Sequence, residues 1–177
     1  VQRYSLADIL AAIPNLQAAS GRMELIDATA SPGVIVDYAH TPDALEKVLI
    51  TLRAHTQGKL WVVFGCGGER DIGKRAKMGA IANRYADKIV LTNDNPRGES
   101  PLAIIAHIER GIVGDFSVEL DRRAAIRYAV LTAAPEDLVL IAGKGHEDYQ
   151  QIADHRLPFS DQVQARLALR DRGSGVT

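Results

Sequence analysis

The sequence predicts an α/β domain, a mostly parallel central sheet with helices on its faces. Three observations predict it. Apolar, β-rich runs recur at residues 33–39, 59–65, 87–93 and 138–144. Stretches with helical period separate the first three of them, and strand–helix–strand–helix–strand is the pattern of parallel strands joined by crossover helices. The runs Trp61-Val62-Val63-Phe64 and Ile89-Val90-Leu91 are also continuously apolar, as expected of strands covered on both faces.

Taken in order, residues 5–13 suggest a short helix and residues 21–26 a separate turn and strand, read as the end of something joined to the domain at a boundary between Ala19 and Pro32. Residues 43–53 place Leu45, Val48, Leu49 and Leu52 on one stripe, with Glu46, Lys47 and Arg53 opposite. Residues 74–86 repeat the spacing with Met78, Ile81, Ala82 and Tyr85. A helix is expected at 100–110, with Ser100 as N-cap and Pro101 at its first position. A short strand at 115–120 and a helix at 122–132 capped by Asp121 follow. After the strand at 138–144 comes an irregular stretch, then a closing helix at 160–170 and a Gly/Ser-rich tail expected to be disordered.

Composition narrows the function classes. The 177 residues suit one domain, and 46% hydrophobic with 24% charged residues is an ordinary soluble composition. A formal net charge of -1 argues against a nucleic-acid binder, which needs basic side chains to neutralise phosphates. The lone Cys66 excludes an internal disulfide and a multi-cysteine metal site. No apolar run is long enough to span a membrane and no leader pattern opens the chain, so the expected location is cytoplasmic.

In a parallel α/β sheet, ligands bind beyond the carboxyl ends of the strands. Four polar motifs here follow four apolar runs. In Asp37-Tyr38-Ala39-His40-Thr41-Pro42, Asp37 suits a ribose hydroxyl, and His40 and Thr41 can approach a phosphate at the helix start. An ordinary strand-to-helix turn capped by Thr41 or Asp43 explains the same residues equally well. In Gly65-Cys66-Gly67-Gly68-Glu69-Arg70-Asp71, the glycines permit close backbone approach and Arg70 offers a fork for a carboxylate or phosphate. This is neither a Walker A loop nor a dinucleotide fingerprint. Arg75 and Lys77 read as surface charges, and Cys66 has no evident base partner. Asn93-Asp94-Asn95-Pro96-Arg97 can read both ends of an amino acid, Asp94 taking the ammonium and Arg97 the carboxylate. An Asx-type turn is the alternative. Gly143-Lys144-Gly145-His146-Glu147-Asp148-Tyr149 adds a second acid, Glu147, without the defined geometry of a metal site. Together Asp94 and Glu147 against Arg70 and Arg97 suit a zwitterionic ligand, whereas no side chain is an obvious catalytic acid or base.

These motifs carry a resemblance. Gly21-Arg22-Met23-Glu24, the Asp37–Asp43 run, Phe64–Asp71 with Gly73-Lys74-Arg75, Asp94-Asn95-Pro96-Arg97 and Gly143–Glu147 stand in the order and spacing of the C-terminal domain of the Mur ligases. The chain resembles their meso-2,6-diaminopimelate-adding branch from Gly21 to about Ala168. That resemblance implies a three-layer, Rossmann-like domain over residues 21–177, disordered from about 172, with residues 1–20 the remnant of a central ATPase domain and linker.

It also implies a reaction. ATP phosphorylates the terminal carboxylate of UDP-N-acetylmuramoyl-L-alanyl-D-glutamate, and the diaminopimelate amine attacks the acyl phosphate. By motif, Arg70, Asp94, Asn95, Arg97, Gly143 and Glu147 would bind meso-diaminopimelate, while Arg22, Asp37 and His40 would reach ATP. Arg97 would discriminate, because lysine-adding relatives lack it and lysine has no distal carboxylate to pair with it. Mg²⁺ would belong to the central domain, and these 177 residues alone would hydrolyse no ATP. The expected partners are the small-molecule substrates and the enzyme's own other domains, with no nucleic acid or membrane. The competing reading is a non-catalytic amino-acid- or nucleotide-binding module of the same fold class.

Overall fold

Consecutive apolar residues in the long strands divide between two cores. Ile35, Leu60, Val62, Phe64, Ile89, Leu91 and Leu140 join one buried cluster, while Val34, Val36, Trp61, Val63, Val90, Val139 and Ile141 join a second. Alternate side chains leave opposite faces of a strand, so a sheet buried on both sides needs apolar residues at every position. The computed structural model describes residues 20–27, 29–30 and 32–175.

In chain order the elements are β1 Glu24–Leu25, β2 Gly33–Asp37, α1 Pro42–Arg53, β3 Leu60–Phe64, α2 Gly73–Tyr85, β4 Lys88–Leu91 and α3 Pro101–Glu109. Then follow β5 Ser117–Val118, α4 Arg122–Thr132, β6 Leu138–Ala142, β7 Tyr149–Ile152, β8 His155–Pro158 and α5 Asp161–Gly173. Six strands form a sheet in the order β1-β2-β6-β3-β4-β5, parallel except for β1, which runs antiparallel to β2. Helices α1, α2 and α3 bury Leu45, Leu49, Met78, Ala82, Ile104 and Ile108 in the first cluster, and α4 and α5 bury Ile126, Ala129, Ala165 and Ala168 in the second. The α/β class, with a mostly parallel sheet between helices, is therefore as the sequence predicts.

Local chemistry sets the helix ends. Thr41 Oγ1 accepts from Ala44 N at 3.3 Å with Pro42 opening α1, and Asp121 caps α4 through Arg123 N at 2.9 Å. Ser160 caps α5 through Val163 N at 3.4 Å. Ser100 holds the N-cap position of α3 without a side-chain bond.

Three segments differ from the sequence reading. The stretch read as irregular contains the antiparallel hairpin β7–β8. The strand expected at 115–120 shortens to Ser117–Val118 at the sheet edge, pairing only with β4. Helix α5 runs to Gly173, past the expected start of the disordered tail, because Arg172 donates to the carbonyls of Val130 and Leu131 at 3.0 and 2.8 Å. The helix expected at 5–13, the remnant assignment for residues 1–19, and residues 176–177 lie outside the described residues.

Strand β6 lies between β2 and β3, so the chain runs outward from β2 through β3, β4 and β5 with helices α1–α3 on one face, then reverses to β6 with α4 and α5 on the other. Such a reversal opens a crevice beyond the carboxyl ends of the strands. Those ends carry the four polar motifs.

Candidate amino-acid-binding cleft

The cleft begins with backbone geometry that leaves no room for larger residues. A Cβ on Gly65, at the end of β3, would run into the Thr92 carbonyl. Gly143, at the end of β6, has φ +116, and a Cβ there would stand 2.7 Å from Asp94 Oδ2. The loops after β3, β4 and β6 are therefore brought together by glycine at the points of closest approach.

They enclose a cleft of about 500 Å³ whose lining includes His40, Arg70, Asp94, Asn95, Arg97, Gly143 and Glu147. The structure thus gathers seven of the nine residues predicted from sequence. Arg22 and Asp37 stand outside this lining. The Asp37 carboxylate accepts the backbone N–H groups of Ala39 at 2.7 Å and Met23 at 2.8 Å, tying the turn before β1 to the end of β2. Arg22 projects beside that turn, its guanidinium 5.6 Å from the Tyr38 ring centroid. His40 Nδ1 bonds the Tyr38 carbonyl at 2.8 Å, and because a carbonyl only accepts, this nitrogen carries the proton.

The loop after β4 is held mainly by the hairpin that the sequence did not reveal. Gln150 Nε2 donates to the Asp94 carbonyl at 2.8 Å, and Gln151 N donates to Asn95 Oδ1 at 2.9 Å. Arg97 N donates to the Gln151 carbonyl at 3.1 Å, and the Arg97 carbonyl accepts in turn from Ala153 N at 2.7 Å. These bonds hold Arg97 at φ +52, a left-handed conformation unusual for a residue with a Cβ. Its guanidinium reaches the Gly68 carbonyl at 2.9 Å.

Lys144 is a second residue that the sequence reading passed over. It is fully buried and donates to Glu147 Oε2 at 2.8 Å and Asn95 Oδ1 at 3.1 Å. Asn95 Nδ2 donates to Glu147 Oε2 at 3.0 Å, which closes a three-residue ring and fixes the amide orientation. Burial works against the Glu147 carboxylate, but the Lys144 bond and charge, the Asn95 bond and nearby Arg97 outweigh it and hold its pKa below the ordinary value.

Asp94 is the opposite case. It is buried, and no donor among the described residues bonds its carboxylate. Burial therefore raises its pKa, opposed by the charges of Arg122 and Lys144 and reinforced by Glu147 and Asp161. An acid in this state is relieved by a cation entering the cleft. Arg70 lies exposed at the rim and makes no hydrogen bond among the described residues, so its fork is available to an anion. Burial pushes the Cys66 thiol up to about 12, which removes it as a nucleophile at neutral pH.

Arg75 requires a correction. Read from sequence as a surface charge, it is fully buried, with Nη1 and Nη2 donating to the Glu99 carboxylate at 2.6 and 2.7 Å. Nη2 also reaches the Gly67 carbonyl at 3.2 Å, and Nη1 bonds His107 Nδ1 at 3.0 Å. Glu99 Oε2 accepts Glu69 N at 3.1 Å, so this pair braces the loops after β3 and β4 against each other. Nothing in a Gly-Lys-Arg run distinguishes such a brace from a solvated charge. Lys77 is exposed, as read.

The arrangement can hold a small molecule with a cationic group against Asp94 and an anionic group against Arg70 and Arg97. The sequence of the chain matches the family model described as "Mur ligase, glutamate ligase domain" over residues 21–145. It is 57% identical over 159 residues to the UDP-N-acetylmuramoyl-L-alanyl-D-glutamate--2,6-diaminopimelate ligase of Coxiella burnetii, covering 89% of this chain and 32% of that protein. It is 54% identical over 173 residues to the enzyme of the same description from Acidovorax sp., covering 95% and 34%. A solved structure described as a UDP-N-acetylmuramoyl-L-alanyl-D-glutamate--2,6-diaminopimelate ligase superposes with a TM-score of 0.82 at 43% identity, covering 96% of this chain and 35% of that one. A bifunctional folylpolyglutamate synthase/dihydrofolate synthase from Yersinia pestis superposes with a TM-score of 0.57 at 26% identity, over 71% of this chain and 28% of that one. The chain spans about a third of the length of the curated relatives it matches. On the family match and these identities, the chain belongs to the Mur ligases, as their glutamate ligase domain.

Proposed function

We propose that residues 21–177 are the C-terminal, amino-acid-binding domain of an ATP-dependent ligase that adds meso-2,6-diaminopimelate to UDP-N-acetylmuramoyl-L-alanyl-D-glutamate in peptidoglycan precursor synthesis. Residues 1–20 would join it to a central ATPase domain. The observation that carries the reading is the buried, unbonded Asp94 carboxylate facing a cleft that also holds Arg70 and Arg97. The 57% and 54% identities to two 2,6-diaminopimelate ligases support it.

In this reading Asp94, Asn95, Gly143 and Glu147 surround the distal amine, and Arg97 and Arg70 take carboxylates. Diaminopimelate carries a distal carboxylate that lysine lacks, so Arg97 gives the discrimination. The domain supplies orientation rather than acid–base chemistry. ATP supplies the phosphoryl group that activates the terminal carboxylate, and the diaminopimelate amine then displaces phosphate.

His40 faces the cleft and Arg22 projects from a strap tied to Asp37, which fits contact with the nucleotide from the rim. Each Asp37 oxygen keeps a lone pair for a ribose hydroxyl. In this reading the central domain would hold Mg²⁺; among the described residues no three His, Cys, Asp or Glu side chains are grouped as metal ligands. No helix among the described residues is long and apolar enough to cross a membrane.

The test is a chimera in which this chain replaces the matching third of the Coxiella burnetii relative. Phosphate release from ATP that depends on meso-diaminopimelate, with no response to L-lysine, is the expected result. A folded chimera that accepts lysine equally, or responds to neither amino acid, would overturn the reading.

A further inference from the structure

Behind the cleft lies a charged pair that the proposed amino-acid-binding reading does not use. Arg122, the first residue of α4, and Asp161, the first residue of α5, are both fully buried. Arg122 Nε and Nη2 donate to Asp161 Oδ1 and Oδ2, both at 2.8 Å, a two-bond fork. The guanidinium has further partners. Its Nη2 donates to the Ala142 carbonyl at 2.9 Å and its Nη1 to the Asn93 carbonyl at 3.3 Å. Ala142 ends β6 immediately before Gly143, and Asn93 immediately precedes Asp94. The adjacent Gln162 donates to the Gly145 carbonyl at 3.0 Å. One guanidinium thus grips the two chain ends that must approach until Gly143 and Asp94 leave no space for a Cβ.

We propose that the Arg122–Asp161 pair is the positioning element of the cleft. It clamps the ends of β4 and β6 so that Asp94 faces Gly143, and it stations a permanent cation behind the Asp94 carboxylate. A buried ion pair is seldom retained for stability alone, because an apolar pair of similar volume serves the fold as well or better. An arginine is required here, since its planar fork can bind a carboxylate and two diverging carbonyls at once. The charge matters as much as the shape. Asp94 is faced by Arg122 from α4, by Asp161 from α5, and by Lys144 and Glu147 from the loop after β6. Of these, Arg122 is the strongest influence holding Asp94 ionised and Asp161 the weakest opposing one. Replacing both by apolar residues should therefore raise the pH at which Asp94 titrates. The inference rests on the proposed role of Asp94 only in naming an ammonium as the group received.

The experiment uses the 177-residue chain and three variants: Arg122→Lys, Arg122→Met with Asp161→Leu, and Arg122→Met alone. The double variant removes the pair without stranding a charge and keeps the test valid if the single variant fails to fold. Carbon-detected NMR follows the Asp94 carboxyl against pH, and amide spectra follow Gly143 and Asp94. The expected results are an upward move of the Asp94 midpoint in the double variant, and displaced Gly143 and Asp94 amides with a nearly unmoved midpoint in Arg122→Lys. Meso-diaminopimelate binding should weaken about tenfold or more in the double variant. An unmoved Asp94 midpoint in a folded double variant, or unshifted amides in Arg122→Lys, would overturn the proposal. If the variants behave as expected while the unaltered chain ignores meso-diaminopimelate, the positioning role stands and the ligand reading falls. Normal binding with unmoved midpoints would do the reverse.

Discussion

Replacing Glu99 by glutamine should remove a pH-dependent part of the stability and loosen the cleft. Glu99 receives both terminal nitrogens of Arg75, whose side chain is 0% exposed while that of Glu99 is 23% exposed. The Arg75 bonds hold the Glu99 carboxyl at about 2, against an ordinary 4.5. At 1.36 kcal/mol per pH unit, that difference corresponds to at most ~3.4 kcal/mol. Solvent at the part-exposed carboxylate screens some of it, which leaves roughly 2 kcal/mol. The sign follows from the depressed value. The folded state favours the ionised form, so the contribution is complete above about 4.5 and disappears as pH falls towards about 2. Glutamine keeps one acceptor for Arg75 but neither the charge nor the second oxygen, so Glu99→Gln imitates the protonated acid. Urea unfolding followed by circular dichroism between pH 2 and 7 should show the variant about 2 kcal/mol less stable at pH 7, with the two curves converging near pH 2. A deficit that stays constant across the range, or none at pH 7, would refute the assignment of Arg75–Glu99 as a charged brace.

Three further outcomes follow from the cleft. Gly143→Ala forces a Cβ at φ +116 to within 2.7 Å of Asp94 Oδ2. It should cost ~1–3 kcal/mol in urea unfolding and also weaken meso-diaminopimelate binding measured by calorimetry. Asp94→Asn should make the chain more stable at pH 7, since a carboxyl whose pKa burial raises loses stability as pH climbs through its titration. The same variant should weaken diaminopimelate binding by about tenfold or more, and unchanged binding would remove Asp94 from the amine site. Arg97→Met should weaken meso-diaminopimelate binding while leaving any weak L-lysine binding unaltered, so that calorimetric affinities for the two amino acids draw together.

What the sequence disclosed depended on how local the signal was. Apolar runs buried on both faces, such as 60–64 and 138–142, and the stripe of Leu45, Leu49 and Leu52 are written in neighbouring residues, so strands and helices emerged within a residue or two. The motifs lay at strand ends because the topology of parallel sheets puts them there. The β7–β8 hairpin was not legible, because Gln150 and Gln151 are polar and serve the loop holding Asp94 and Asn95 rather than a core. Arg75 and Arg122 were misjudged or passed over for one reason. Their partners Glu99 and Asp161 are 24 and 39 residues away, and charge pairing across such distances leaves no periodic trace. The seven cleft residues were found because each sits within a motif, whereas Lys144 sits in a motif too but reveals its place only through contact with Asn95 and Glu147.

The most direct test of the central claim is an amide-resolved NMR titration of the chain with meso-diaminopimelate, with L-lysine as control. Shifts confined to Arg70, Asp94, Asn95, Arg97, Gly143 and Glu147, produced by diaminopimelate and not by lysine, are the predicted result. Equal shifts with lysine, or diaminopimelate shifts that fall elsewhere, would contradict the account.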